Sequence, residues 1–304
     1  MARKESERRL VLSEKTFKTV KTVLVVLICI CVITAALLWV FDDAVAPINN
    51  KGDAVTFFDV GQGDCALIQS GNKAALIDTG TAVNGMKIVK KLRQLGVSKL
   101  DVMLLSHPHD DHIGSAEFLI TEIPIDYLIL PDVLPADDEN ALCYKEIKEL
   151  ADYKGIESHY ATEGMIINIG NFECTVLLSD EKAEEENDTS IVVMAKNQDK
   201  KFLFVGDAEK PTENKLINGN INFDCDVLKV GHHGSNTSSS KAFLNVATPK
   251  YSVISVGRNN SYSHPSVDVL KRLGEIGTTV LRTDINGDIR FTIENGELVL
   301  QDLQ

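Results

Sequence analysis

Four side chains able to ligate a metal, His107, His109, Asp111 and His112, fall within six positions of one another, in the stretch LLSHPHDDHIG that closes a buried apolar run. An extended chain sends alternate side chains to one face, so His107 and His109 project together. Asp111 and His112 follow in the next turn and can face the same space. Imidazole nitrogens beside a carboxylate suit zinc, iron or manganese. A solvated loop rarely holds this spacing directly after an apolar strand, so the segment is read as the wall of a metal cavity. Three of the other four histidines stand in two places, His232 with His233, and His264; His159 is isolated and reads as structural.

Around this motif, short apolar runs alternate with helical stretches, the pattern of an α/β domain. AVTFFDV, CALIQ, AALID, DVMLLS and IDYLILP read as strands, with helices at MKIVKKLRQLG and ENALCYKEIKELADYKG. FECTVLLS, SIVVMAK, KFLFVG, DVLKVG, YSVISVG and TTVLRT are further strands, with helices near 208–218, 239–247 and 265–274. The end of the chain is a hairpin turning at Asn295-Gly296, a pair favoured where both turn residues need positive φ. The run EKAEEEND (181–188) reads as a solvated loop. Asp207 ends a buried strand, as ligand or as helix cap; Asp78 ends another, as a support for ligands or as a turn carboxylate. Pro265 is expected at the first position of a helix. His232 and His233 are expected to end a strand with rings on opposite sides, and either one could be the ligand. DVGQGD lacks the Gly-Lys-Ser/Thr ending of a phosphate loop; its Asp59, Gln62 and Asp64 are expected at the rim of the cavity.

Charge divides the chain. Residues 1–41 carry seven basic and three acidic side chains, net +4, which leaves −17 for the remaining 263 residues of a chain at −13. From Val23 to Phe41 run 19 residues without a charge, roughly 28 Å of helix, close to the thickness of a bilayer core. The expected organisation is a basic cytoplasmic flank (1–22), a transmembrane signal anchor (23–41), a linker (42–53) and one domain (54–304). The positive-inside rule then puts the domain outside the cell membrane. The alternative is a cleaved signal peptide, for which Ala44-Val45-Ala46 offers a site. Cys65, Cys143, Cys174 and Cys225 lack the spacing of a zinc ribbon and are open as disulfides or free thiols.

SHPHDDH resembles the signature of the metallo-β-lactamase fold superfamily. Within it the chain looks most like the extracellular hydrolase domain of ComEC-type competence (DNA-uptake) proteins. FFDVGQGDCALIQ, LIDTG, NDTSIVV, FVGDAE, LKVGHHGSNTSSS, SVGRNNSYSHP and RTDINGDI carry the resemblance from about Val55 to Arg290. It implies an αββα sandwich and two divalent metal ions, zinc or else manganese. One metal would be held by His107, His109, His232 or His233, and Asp207; the other by Asp111, His112, His264 and the shared Asp207. His233 is favoured as ligand, and His232 as a support for the ligands or a substrate contact. Asp78 and Asp64 would support the ligands, and Asn187, Ser190, Glu209, Ser235 and Tyr262 are candidate pocket polars. Two departures stand out: NDTSIVV has no histidine where the superfamily often has one, and no multi-helix channel is present.

The reaction so implied is attack by a metal-bound hydroxide, with Asp111, Asp207 and His232 at the reacting centre and a phosphodiester or nucleic acid as substrate. The alternatives are a lactone or lactam hydrolase on the same fold and a non-catalytic metal-binding module at the cell surface. A domain at −17 lacks the basic track that long nucleic acids need, which favours a small phosphodiester or a short single strand. Lys90, Lys91, Arg93, Lys229 and Arg258 could supply a local basic patch.

Overall fold

The computed structural model describes residues 14–42, 52–133, 139–219 and 221–301. Contacts divide the chain into two units, Met1–Ala46 and Pro47–Gln304. The first unit contains helix α1 (Glu14–Asp42), whose stretch Phe17–Thr34 is exposed and is long and apolar enough to cross a membrane. Part of the basic flank and most of the 42–53 linker, with the Ala44–Ala46 cleavage motif, lie outside the described residues.

In the second unit the first half of the chain gives β1 (Asp53–Phe57), β2 (Ala66–Ser70), β3 (Lys73–Ile77), α2 (Gly85–Gln94), β4 (Leu100–Leu104), α3 (Asp110–Ile113), α4 (Ala116–Glu122), β5 (Ile125–Leu130), α5 (Glu139–Lys154) and β6 (Glu157–Tyr160). The second half gives β7 (Ile166–Ile169), β8 (Phe172–Leu178), β9 (Val192–Asn197), β10 (Lys200–Phe204), α6 (Lys210–Asn218), β11 (Val227–Lys229), α7 (Lys241–Ala247), β12 (Tyr251–Ile254), α8 (Val267–Glu275), β13 (Thr279–Arg282), α9 (Thr283–Asn286), β14 (Ile289–Glu294) and β15 (Glu297–Gln301). One sheet has the order β15-β14-β1-β2-β3-β4-β5-β6 and the other β13-β12-β11-β10-β9-β8-β7.

The layering follows from strands that are apolar on both faces. In β3 and β4, Ile77, Val102 and Leu104 enter the core between the sheets, where they join Phe202, Phe204, Val227 and Val253. Their neighbours Leu76 and Met103 face the other way, into a core shared with α2, α4 and α5 residues such as Ile88, Leu119 and Ile147. Leu203, Leu228 and Ile254 do the same on the second sheet, against Leu216, Leu244 and Val269 of α6, α7 and α8. Burial on both faces removes the polar alternation of a half-exposed strand. The outcome is an αββα sandwich. β3, β4 and β5 run parallel, as do β10 to β13, and loops at the carboxyl ends of parallel strands are where such sheets place ligands.

The terminal hairpin pairs Glu294 with Glu297 across Asn295 and Gly296, both at positive φ. Short elements not expected from the sequence surface in the structure: β6 and β7 are four-residue edge strands with several exposed positions, and α3 and α4 are one or two turns long. One expectation is corrected and one open choice is resolved. α8 starts at Val267 with Ser266 as its cap, whose hydroxyl accepts from Val269 N–H, so Pro265 precedes the helix. All six cysteines are free thiols.

Phe202 is fully buried and meets Phe172 and Phe291 edge-on between the sheets. Phe202→Ala is expected to destabilise the domain by about 3–5 kcal/mol, measured by denaturant titration of the full chain in detergent. A loss below about 1 kcal/mol would contradict this packing.

Candidate metal centre

Five segments converge where the carboxyl ends of the inner strands meet: Asp78 after β3, His107 to His112 after β4, Asp207 after β10, His232 and His233 after β11, and Asp64 in the β1–β2 loop. Asp78 is 1 % exposed and left-handed, with φ 60°. Its Oδ1 accepts from Ser106 N–H (2.7 Å), and its Oδ2 from Ser106 Oγ–H (2.8 Å) and His112 Nδ1–H (2.9 Å). One carboxylate therefore fixes both the entry to the histidine motif and its last ring. Gly63 is held at φ +131°, and a Cβ there would stand 2.4 Å from the Asp111 carbonyl oxygen. That close approach lets Asp64 N–H donate to the same oxygen at 3.0 Å.

Each of five imidazoles has one nitrogen tied to an acceptor outside the centre. A carboxylate or carbonyl can only accept, so the tied nitrogen carries the proton and the other is left to face inward. His112 Nδ1 is held by Asp78, His233 Nδ1 by Ser255 C=O (2.9 Å), His232 Nδ1 by Glu209 Oε1 (2.8 Å) and His109 Nε2 by Glu186 Oε2 (3.0 Å). His107 Nδ1 lies 3.1 Å from Ser106 Oγ, whose own proton goes to Asp78. The inward nitrogens meet. His107 Nε2 is 3.1 Å from His109 Nδ1. His112 Nε2 is 3.2 Å from Asp207 Oδ1, and His233 Nε2 is 3.1 Å from Asp111 Oδ2 and 3.3 Å from Asp207 Oδ2. His232 Nε2 is 3.8 Å from Asp207 Oδ2.

These atoms are placed for a cation. His112 Nε2, His233 Nε2 and Asp207 Oδ1 are buried without a hydrogen-bond partner, a costly state for polar groups. His107, His112 and Asp207 present ligand atoms within 4.8 Å of one another, as do Asp111, His112 and His233. Groups built on Asp64 or Asp78 also meet that distance; both Asp78 oxygens are engaged as above and Asp64 Oδ2 is engaged by Lys229 Nζ at 2.6 Å, while Asp64 Oδ1 is buried without a partner. The residues fit one or two divalent cations on Asp207.

Electrostatics agree with that reading. Burial would raise the carboxyl of Asp111, but the charges of His112 and His233 beside it hold it at about 2. Burial likewise opposes ionisation of Asp207, yet His233 and His112 bring it well below the usual carboxylate range. Asp64 is lowered against its own burial chiefly by Lys229. His112 and His233 are pushed well above the ordinary imidazole range: burial pulls both down, and the carboxylates, Asp207 foremost, outweigh it. Burial, with the charge of His112, keeps His107 well below that range and neutral.

The residues expected from sequence are distributed unevenly. His233 lies with Asp111 and His112, whereas the resemblance grouped it with His107 and His109. His264 stands outside these groups, its ring 5.6 Å from that of His232, and its Nδ1 is buried without a partner. His232 and His233 do not alternate as strand residues; both adopt left-handed backbone, φ 48° and 52°, in a tight turn. Glu209, not Asp207, occupies the cap position of α6, and Asp207 N–H donates to Ser190 Oγ (3.0 Å). Asn187 Nδ2 reaches Glu209 (3.3 Å) and Ser235 bonds Thr237 (2.7 Å). Gln62 Oε1 accepts from Gly257 N–H, while Asp59 turns away to Lys87 and its backbone to Asp288. Lys229, 3 % exposed, is an internal cation and no part of a surface patch.

Sequence reasoning missed Glu186. It sits in the 181–188 run read as solvated, yet its carboxylate holds His109, and Asp188 two residues on is 3 % exposed and accepts from Glu209 N–H (3.0 Å) and Thr212 Oγ1–H (2.6 Å) at the start of α6. The available signal was the Asn-Asp end of the run with the Thr-Ser that follows it, residues that bind backbone groups at helix starts.

Residues 58–258 match the metallo-beta-lactamase superfamily, and the chain belongs to that superfamily. It is 30 % identical over 286 residues to ComE operon protein 3 of Bacillus subtilis, covering 88 % of this chain and 36 % of that one. To competence protein ComA of Neisseria gonorrhoeae it is 34 % identical over 255 residues, 83 % of this chain and 34 % of the relative. The chain thus spans about a third of the length of these relatives. Among solved structures, the metallo-beta-lactamase fold protein YhfI from Bacillus subtilis superposes with TM-score 0.53 at 14 % identity, over 76 % of this chain and 95 % of that one. CmlA, a diiron beta-hydroxylase from Streptomyces venezuelae, gives 0.54 at 12 %, over 83 % and 55 %. Both likenesses are of fold.

Two outcomes are expected of the full chain in detergent. Without metal, the carboxylates around His112 and His233 push both imidazoles above their ordinary range, so a cation competes with protons for these rings. Calorimetry at pH 7 in buffers of different ionisation enthalpy should show protons released as metal binds, with affinity falling as pH drops; release of none would contradict the arrangement. Glu186→Gln should weaken metal binding by about 10- to 100-fold in the same titration, and unchanged affinity would remove Glu186 from the centre.

Proposed function

We propose that this chain is a membrane-anchored, extracellular, dinuclear metal-dependent hydrolase of phosphodiesters. The observation that carries the proposal is the shared inward aim of five imidazoles, each anchored outward, on the two carboxylates Asp111 and Asp207. His107 and His109 would hold one cation and Asp111, His112 and His233 the other, with Asp207 between them. Zinc is the favoured metal and manganese the alternative; both take mixed nitrogen and oxygen ligands. When bound, such a pair supplies Lewis acidity and lowers the pKa of water toward neutrality.

The chain's own residues do the rest. Asp78, Glu186, Glu209 and Ser255 C=O keep each ring in the tautomer that faces inward. Lys229 neutralises Asp64, so that this carboxylate supports the turn beside Asp111 without competing for a cation. His232, with a quarter of its side chain exposed and Nε2 beside Asp207, is placed to hydrogen-bond a substrate oxygen. Similarity to competence proteins favours a phosphodiester, and the net −17 of the residues after Phe41 favours a short or small one over long duplex. The basic flank and the apolar helix support an anchor with the domain outside.

The deciding experiment is metal analysis of the full chain in detergent with a substrate panel of short single-stranded DNA, duplex DNA, a chromogenic phosphodiester, a lactone and a lactam. Phosphodiester turnover is expected, lost in Asp207→Ala and His109→Ala. Faster turnover of the lactone or lactam would move the reading to carboxyl chemistry, and full activity in both variants would refute this centre. A carboxyl-terminal reporter active only outside the membrane should be active.

A further inference from the structure

On the β12–α8 side of the centre, an exposed tyrosine is held in place by a loop that has little freedom. Asn260 closes the loop from Gly257 to His264 with four hydrogen bonds. Its Nδ2 donates to Gly257 C=O (3.0 Å) and His264 C=O (2.7 Å), and its Oδ1 accepts from Tyr262 N–H (3.2 Å) and His264 N–H (3.0 Å). Tyr262 remains 66 % exposed. Its ring lies at 26° to the ring of His264 with centroids 5.8 Å apart, and the His264 ring is 5.6 Å from that of His232. One face of Tyr262 is thus backed by an imidazole, and the ring leads in two steps to the imidazole whose Nε2 stands 3.8 Å from Asp207.

An aromatic ring left in water beside a polar centre has no part in the packing of the sandwich. What it offers is a flat apolar face on a stretch of backbone that the Asn260 clamp already orders. We propose that Tyr262 is the stacking platform for a nucleobase, and that the substrate of this centre is a nucleotide-bearing phosphodiester taken as a single strand or a dinucleotide. The proposal rests on the phosphodiesterase reading above and deepens it. A base and its own phosphate are separated by one sugar, and the path from Tyr262 to His232 is two ring-to-ring steps of 5.8 and 5.6 Å through His264. Stacking is indifferent to sequence and needs no phosphate track, and each stacked base contributes about 1–3 kcal/mol. It therefore gives an acidic domain a grip on nucleic acid that does not depend on basic surface. Duplex DNA keeps its bases stacked on one another and offers none to the ring.

The test compares a thymidine dinucleotide with the same backbone carrying an abasic sugar at each position, in the full chain in detergent with metal. Tyr262→Ala is expected to raise KM for the dinucleotide about 10-fold or more, with kcat and the abasic substrate unchanged, and Tyr262→Trp to restore the low KM. Equal effects of Tyr262→Ala on both substrates would overturn the proposal. A second readout is independent of turnover: fluorescence of a 2-aminopurine dinucleotide should be quenched by wild type and not by Tyr262→Ala, with metal content equal in both. Quenching without hydrolysis would keep the platform and refute the phosphodiesterase reading; hydrolysis without Tyr262-dependent quenching would do the reverse.

Discussion

Four carboxylates, those of Asp64, Asp78, Asp111 and Asp207, are collected where two sheets meet, and three of them are at most 5 % exposed. Isolated, buried anions of this kind would unfold the region or take up protons. They are tolerable together because Lys229 and the imidazoles of His112 and His233 are buried among them. Much of the local backbone serves this balance. Asp78 takes a left-handed conformation so that both its oxygens reach the histidine motif, Gly63 forgoes a side chain so that Asp64 can approach Asp111, and the two histidines after β11 sit in left-handed backbone that a strand would not allow.

The strands and long helices were legible in the sequence because burial on two faces writes itself as continuous apolar runs, and these set the four layers. The members of the centre were legible for a related reason: each stands at the end of such a run, where chain direction and chemistry agree. Their grouping was not. Strand alternation would separate His232 from His233, but both sit in a left-handed turn after β11, and the φ angles of that turn bring His233 Nε2 to Asp111. Glu186 was invisible because an acidic run is solvated in most chains, and nothing local marks the one carboxylate that a distant ring will meet. Lys229 misled for the opposite reason. A lysine suggests surface, and only its pairing with Asp64 explains how it can lie in a central strand.

Membership of the superfamily and the arrangement of the centre leave the acidic character of the domain as the main physical restriction on what it can accept. Long-range attraction toward a polyanion is absent, so recognition has to come from contacts made at close quarters. On the proposed reading, shape and stacking near the centre carry selectivity, and the affinity of such contacts depends on salt far less than that of a phosphate-binding track.

Residues 186–190 have an unusual economy. Glu186 reaches a ring that belongs to the first sheet's loop, Asn187 a carboxylate on the second sheet's side, Asp188 the start of α6, and Ser190 the amide of Asp207. Successive links to separate parts make this segment a clasp across the seam of the sandwich. Its length is consequently as constrained as its composition: one inserted residue would shift every link by a place and unfasten both halves of the centre together, without touching a single ligand.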